Sequence, residues 1–264
     1  MMAAATSSSG SHQSEGNASD IQSLRKWAAA ERYLLTEHQL RIFYHSCYFN
    51  VERTKKCINV YFSIRNGTPE LFANRDIRRP ELQMALSALN YAVLPVCDPA
   101  GHTILLHSLC NYEPSRYVFS DGIKLLLMMI DACVHSDGMS PGYVMLFDMR
   151  GVQSGHLTKL NISLLRKFFQ YIQEGMPIRL HAIHIVNVVP IMGRIMSLTK
   201  PFMKKELLSL LHLHPAADGY DSLYEFIPRN CLPRDYGGVL DCVEYLHADH
   251  VKRLAALQSL FSKD

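Results

Sequence analysis

No apolar run in this chain is long enough to cross a bilayer. The longest extends only from Leu125 to Ile130, whereas a spanning helix needs about 20 residues. Met1 to Asp20 holds no apolar segment of the kind that marks a secretory leader, and neither end carries a lipidation pattern. Phosphate-binding glycine loops are missing: there is no G-x-x-x-x-G-K-[ST] and no G-x-G-x-x-G after a strand. The G-x-S-x-G elbow of serine hydrolases is missing too. A net charge of +3, dispersed along the chain, excludes the basic footprint of a nucleic-acid binder. The seven cysteines are odd in number and form no C-x-x-C pair. In a chain too long to need disulfide staples they read as reduced thiols. A cytoplasmic protein that touches membranes peripherally and transiently is the expectation.

What is present is a large core. Hydrophobic residues make up 48% of 264 positions, and charged ones 19%, which suits a globular chain of one large domain and a small module. Residues 1–19 are Ala, Ser, Gly and polar, a composition that predicts a disordered tail. From Asp20, a plausible helix cap, three apolar stripes follow. They run through Ile21, Leu24 and Trp27, then Leu40, Phe43 and Tyr44, then Cys57, Ile58 and Tyr61. They predict a three-helix module over 20–68. After Pro80 the pattern alternates. Tyr91–Val96 and His102–Cys110 read as a hairpin, Val118–His135 as a long apolar helix, and Tyr143–Met149 as a strand. Next come a helix over Thr158–Glu174, a strand over Leu180–Val189, a short strand at Leu210–His214, and helices over Ser222–Ile227 and His247–Phe261. This order predicts an α/β fold with a mostly parallel sheet.

The segment that follows Val189, from Pro190 to Phe202, stands out. Pro190 opens a short helix and Pro201 closes it; Met192, Ile195, Met196 and Leu198 share one face, Gly193, Arg194 and Ser197 another. Methionine suits surfaces that adapt to a flexible partner. With no nucleophile–base pair nearby, this points to an apolar ligand rather than a reaction. Asp148-Met149-Arg150-Gly151 follows a strand end, where α/β proteins place ligands, but its Asp reads as a local pairing that fixes the turn. His181 and His184 fall on opposite faces by strict alternation. His212 and His214 share a face, yet a structural zinc site takes four ligands, so neither a metal nor another cofactor is expected.

Six blocks in order carry a resemblance: Tyr48-Phe49-Asn50-Val51-Glu52, Thr68-Pro69-Glu70-Leu71-Phe72-Ala73-Asn74-Arg75-Asp76, Phe147-Asp148-Met149-Arg150-Gly151, Ile183-His184-Ile185-Val186-Asn187, Lys200-Pro201-Phe202, and Leu232-Pro233-Arg234-Asp235-Tyr236-Gly237-Gly238. The chain resembles the CRAL-TRIO family, in its tocopherol-transfer-like and cellular retinaldehyde-binding branch. The resemblance implies a helical N-terminal module, an α/β/α lipid-binding domain over 80–245 and a C-terminal helix over 246–264. It implies a mobile gate helix over Pro190–Met203, with Met192, Ile195, Met196 and Leu198 turned to the ligand. It places the pocket at Leu125, Met129, Phe147, Phe168, Tyr171, Ile172, Ile178, Leu180 and Ile183. Its phosphoinositide cleft falls on Arg179 and His181, with Lys204 and Lys205 standing in for cations lost at Glu206 and Leu210. The implied protein is a monomeric, non-enzymatic carrier of a tocopherol-, retinoid- or phospholipid-class molecule. The alternative is a phosphoinositide-sensing trafficking adaptor with a structural lipid.

Overall fold

Three apolar stripes wind into α1 (Ala18–Ala30), α2 (Glu37–Ser46) and α3 (Val51–Asn66). The computed structural model describes residues 18–262; the tail expected over 1–19 lies almost wholly outside them. Thr36 and Gln39 cap α2 reciprocally, each side chain accepting the other's backbone N–H. Asn50 caps α3 by accepting from the Arg53 N–H at 2.9 Å. Asp20 sits inside the first turn of α1, where it accepts the Tyr44 hydroxyl instead of capping. Leu24, Leu40 and Ile58, fully buried, form the centre of this unit's core.

Two short helices, α4 (Pro69–Phe72) and α5 (Pro80–Leu86), each begin at a proline. They lead into a five-stranded sheet of β1 (Leu89–Val93), β2 (Thr103–Leu109), β3 (Tyr143–Asp148), β4 (Leu180–Val188) and β5 (Leu211–Pro215), in that spatial order. β1 and β2 pair antiparallel, as the hairpin reading expects, and every later pair is parallel. The crossovers are α6 (Phe119–Asp137), then α7 (Ser154–Leu157) with α8 (Ile162–Gln170), then α9 (Met192–Thr199) with α10 (Lys205–Leu208). The helix expected over Thr158–Glu174 is shorter than its pattern. Asn161 caps it by accepting the Leu164 N–H, and it ends in a π turn over Tyr171–Gly175. That turn presses on α3: a Cβ on Gly175 would lie 3.0 Å from the Tyr61 backbone nitrogen.

Both sheet faces are covered. One packs its apolar residues against α6 and α8. The other packs Ile104, Leu106, Val144 and Val186 under α11 (Asp221–Tyr224) and the 3₁₀ turns that follow it. α12 (Val243–Ala256), followed by α13 (Gln258–Phe261), closes the β1 edge, where His247 Nδ1 accepts the Tyr91 N–H at 3.1 Å. α12 thus starts four residues before the expected His247, and its His250 is buried. No helix among the described residues is long and apolar enough to cross a membrane.

An ion cluster ties α3 to α6. Asp131 accepts from Arg65 Nη1 at 3.0 Å and from Arg75 Nη1 at 2.5 Å, and Arg65 also reaches the Tyr171 hydroxyl at 3.3 Å. Burial raises the Asp131 carboxyl, but the two guanidiniums outweigh it and hold the group below its usual range.

β4 departs from strict alternation. Tyr143 pairs with Leu180 but Val144 with Ala182, leaving His181 as an inserted bulge residue. The bulge brings His181 onto the ring of His102, 3.9 Å between centroids, and within electrostatic range of His184. The opposite-face reading of His181 and His184 fails for this reason. His184 Nδ1 lies 3.0 Å from His214 Nε2, and His214 Nδ1 lies 2.8 Å from the Ser222 hydroxyl. No group of three or more metal-ligating side chains occurs among the described residues.

Candidate functional site

The parity of three neighbouring strands builds a floor. Met145 and Phe147 on β3 stand in register with Ile183 and Ile185 on β4, and Ile183 with Leu211 on β5. All five, with Leu180, face one cavity of about 180 Å³. Leu126 and Ile130, one turn apart on α6, form one wall. Phe168 and Phe169 of α8, with Ile172 and Met176 from the π turn and its exit, form the other. α9 lies across the opening with Met192, Ile195, Met196 and Thr199, and Met203 closes its far end. Thr199 is the one polar residue in this lining, and its hydroxyl already donates to the Ile195 carbonyl at 3.0 Å. A second, polar cleft of about 330 Å³ lies apart from this one, among Glu70, Ser120, Lys159 and Lys167.

The covering helix is fastened at both ends by polar contacts. Before it, Asn187 adopts a left-handed backbone (φ 52°) and donates from Nδ2 to Asp148 Oδ1 at 2.8 Å. Asp148 is itself buried and fully engaged, accepting from the Arg150 N–H, Arg150 Nε and the Tyr236 hydroxyl. The expectation that this Asp fixes the turn matches its bonding. After α9, a 3₁₀ turn over Lys200–Phe202 follows, and Gln173 joins it to the wall. The Gln173 amide donates to Phe202 O at 3.0 Å and Phe169 O at 2.7 Å, and its carbonyl accepts the Lys204 N–H at 2.6 Å.

Of the nine pocket positions read from sequence, the cavity collects Phe147, Phe168, Ile172, Leu180 and Ile183. Leu125 and Met129 lie fully buried in the core, each one residue before the lining Leu126 and Ile130. α6 is buried nearly all round, so its periodicity does not select the cavity-facing side. Ile178 packs on the main core without lining the cavity, and Tyr171 turns its hydroxyl to Arg65. On the covering helix Met192, Ile195 and Met196 face inward while Leu198 is 38% exposed. Met145, Ile185 and Leu211 escaped the sequence reading, although strand alternation with Phe147 and Ile183 points to the first two.

The four cationic candidates do not form one open cleft. Arg179 donates from Nε to the His45 carbonyl at 2.9 Å and lies over the Tyr48 ring at 4.5 Å. His181 stacks on His102, as described. Lys204 pairs with Glu174, and Lys205 is exposed.

Comparison with known proteins decides the family. The model for the CRAL/TRIO domain matches residues 89–238. The chain belongs to the CRAL/TRIO domain family. A second model, "Pinta-like, UBA domain", matches residues 13–82, the stretch that includes α1–α3. The chain is 30% identical over 224 residues to "Alpha-tocopherol transfer protein-like" of Mus musculus, a match covering 83% of this chain and 64% of that protein. It is 26% identical over 193 residues to "Clavesin-1" of Xenopus laevis, covering 73% and 58%. The chain thus spans 64% or less of the length of these curated relatives. The solved structure "Crystal structure of Sfh5" superposes with a TM-score of 0.53 at 14% identity, over 86% of this chain and 82% of that one. That likeness concerns the fold alone.

Proposed function

We propose that the chain holds one hydrophobic lipid in this cavity and carries it between membranes, with α9 as the gate. The observation that carries the reading is the apolar face that α9 lends to the cavity. A short helix puts Met192, Ile195 and Met196 over an otherwise apolar cavity, while Arg194 and Leu198 stay on its exposed side. The mouse relative's name refers to tocopherol transfer, and a tocopherol-, retinoid- or phospholipid-class molecule suits a lining with five methionines. Burial of ligand surface supplies about 25 cal/mol per Å². At about 180 Å³ the cavity is smaller than the ~300–1,000 Å³ of ordinary ligand pockets, so loading requires α9 to move outward. The gate opens where its apolar face meets lipid and closes in water.

In this reading residues 20–68 are a supporting helical module, 80–245 the lipid-binding domain and 246–264 its C-terminal helix. The carrier is a monomeric, non-enzymatic protein of the cytoplasm. Head-group recognition at a phosphoinositide-containing membrane draws on Arg179, His181, Lys204 and Lys205, of which Arg179 and Lys204 must first release His45 and Glu174.

The test is extraction of labelled lipid from liposomes by the wild type and by an Ile195→Asp/Met196→Asp variant, with folding checked by circular dichroism. The variant is expected to lose extraction and keep its fold; undiminished extraction refutes the gate. Repeating the assay with phosphatidylinositol bisphosphate in the acceptor vesicles tests the head-group component. Faster exchange supports it, and equal exchange removes it.

A further inference from the structure

The cavity floor continues one strand beyond its apolar lining, to a histidine with nothing to bond. His107 on β2 stands in register with the lining Phe147, which in turn pairs with Ile185. Its ring lies 5.7 Å from that of Phe147 and 4.7 Å from that of Tyr91 on β1. Tyr91 is satisfied, donating its hydroxyl to Gly122 O at 2.7 Å. His107 is not. Its Nδ1 is buried without a partner, and Nε2 makes no hydrogen bond among the described residues.

An imidazole left unbonded in the interior costs stability, since buried polar groups are ordinarily paired. The one polar group of the lining, the Thr199 hydroxyl, donates to Ile195 O. Of the two neutral tautomers, the one protonated on Nε2 leaves an orphaned lone pair on Nδ1 instead of an orphaned N–H, the less costly arrangement. Nε2–H is then an unspent donor on a ring that packs against the lining Phe147. Burial pushes His107 down to about 4, with Asp148 only partly opposing it, so the ring is neutral near pH 7. A neutral donor does not compensate a buried carboxylate, but it matches an uncharged oxygen.

We propose that His107 Nε2–H binds the polar end of the carried ligand, which is therefore a long apolar molecule terminating at its buried end in a neutral oxygen acceptor, a hydroxyl or carbonyl. The inference rests on the carrier reading and adds orientation to it. The ligand enters with its oxygen toward β2 and leaves its hydrocarbon under α9. Free fatty acids and plain hydrocarbons are selected against.

The experiment uses hexadecan-1-ol and heptadecane, equal in heavy atoms, presented in phosphatidylcholine vesicles to the full-length wild type and to His107→Leu. Retained ligand is quantified by native mass spectrometry and solvent extraction. The alcohol-to-alkane retention ratio is expected to fall about tenfold in His107→Leu, the scale of one lost hydrogen bond to a buried donor. In ¹⁵N-histidine-labelled wild type, the His107 Nε2 resonance shifts on loading the alcohol and not the alkane, a readout independent of whether the variant folds. An unchanged ratio with an unmoved resonance overturns the role of His107 and leaves the carrier standing. Failure of the wild type to retain either molecule overturns the carrier reading and this inference with it.

Discussion

Replacing Asp131 by Asn tests how the N-terminal helices are held to the sheet domain. The carboxylate is the one anion between two guanidiniums whose side chains are 9% (Arg65) and 1% (Arg75) exposed. Arg65 also lies over the rings of Tyr61 and Phe72, at 4.8 and 4.7 Å, so it cannot relocate without giving up packing. Asn removes the charge while leaving both cations in place, and breaking a buried pair in this way costs about 3–5 kcal/mol. Against a typical total of ~5–15 kcal/mol that is a large fraction. Urea unfolding followed by circular dichroism should show a midpoint lowered by roughly 1–5 M if the slope is ~1–3 kcal/mol/M. A triple variant, Arg65→Met/Arg75→Met/Asp131→Leu, should recover most of the loss, because it removes the stranded charges together. The acid limb supplies a second readout. The folded Asp131 value lies below its unfolded one. Its stabilisation is therefore present above the unfolded value and is lost as pH falls through the folded one. Asn at this position removes that part of the limb. A loss under about 1 kcal/mol, or a triple variant no better than the single, refutes the argument that the charges are mutually dependent.

Two further outcomes follow from groups elsewhere in the fold. Burial, then the charges of His214, His212 and His181, pushes His184 down to about 3, below its unfolded value of ~6.5. Its contribution is therefore intact above about pH 6.5 and lost progressively toward about pH 3, amounting to roughly 2–3 kcal/mol at about pH 4.5. His184→Leu should flatten that limb in thermal melts between about pH 7 and 4.5; parallel curves refute the assignment. Asn187→Ala should cost about 1–2 kcal/mol through its left-handed backbone and lost bond to Asp148. It should also speed vesicle-to-vesicle lipid exchange, and unaltered exchange shows that this anchor does not restrain the gate.

Much of this architecture was legible because periodicity encodes it. The apolar runs of β3 and β4 and the stripes of α1–α3 are direct consequences of which surfaces meet a core. The covering helix was visible because prolines bracket a one-sided Met/Ile face. Three things were not legible, each for a stated reason. The phase of α6 is hidden by burial on every side, which moved the lining by one residue from Leu125 and Met129 to Leu126 and Ile130. The bulge at His181 inserts one residue into the strand count, and no local signal in Leu180-His181-Ala182 marks it. The partners of Arg179 and Lys204, His45 and Glu174, are distant in sequence or on another element, so both cations looked available to a head group.

The double fastening of α9 limits how it can travel. Asn187 pins the chain just before it to the end of β3, and Gln173 pins the chain just after it to α8. A segment held at both ends is a crankshaft rather than a hinged door: its low-energy motion is rotation about the line joining the two pivots. Such a roll turns Met192, Ile195 and Met196 sideways and upward together, so the slot opens along the length of the helix and not at one tip. If α9 gates the cavity as proposed, a long molecule leaves broadside, side-on to the bilayer surface, without either pivot breaking.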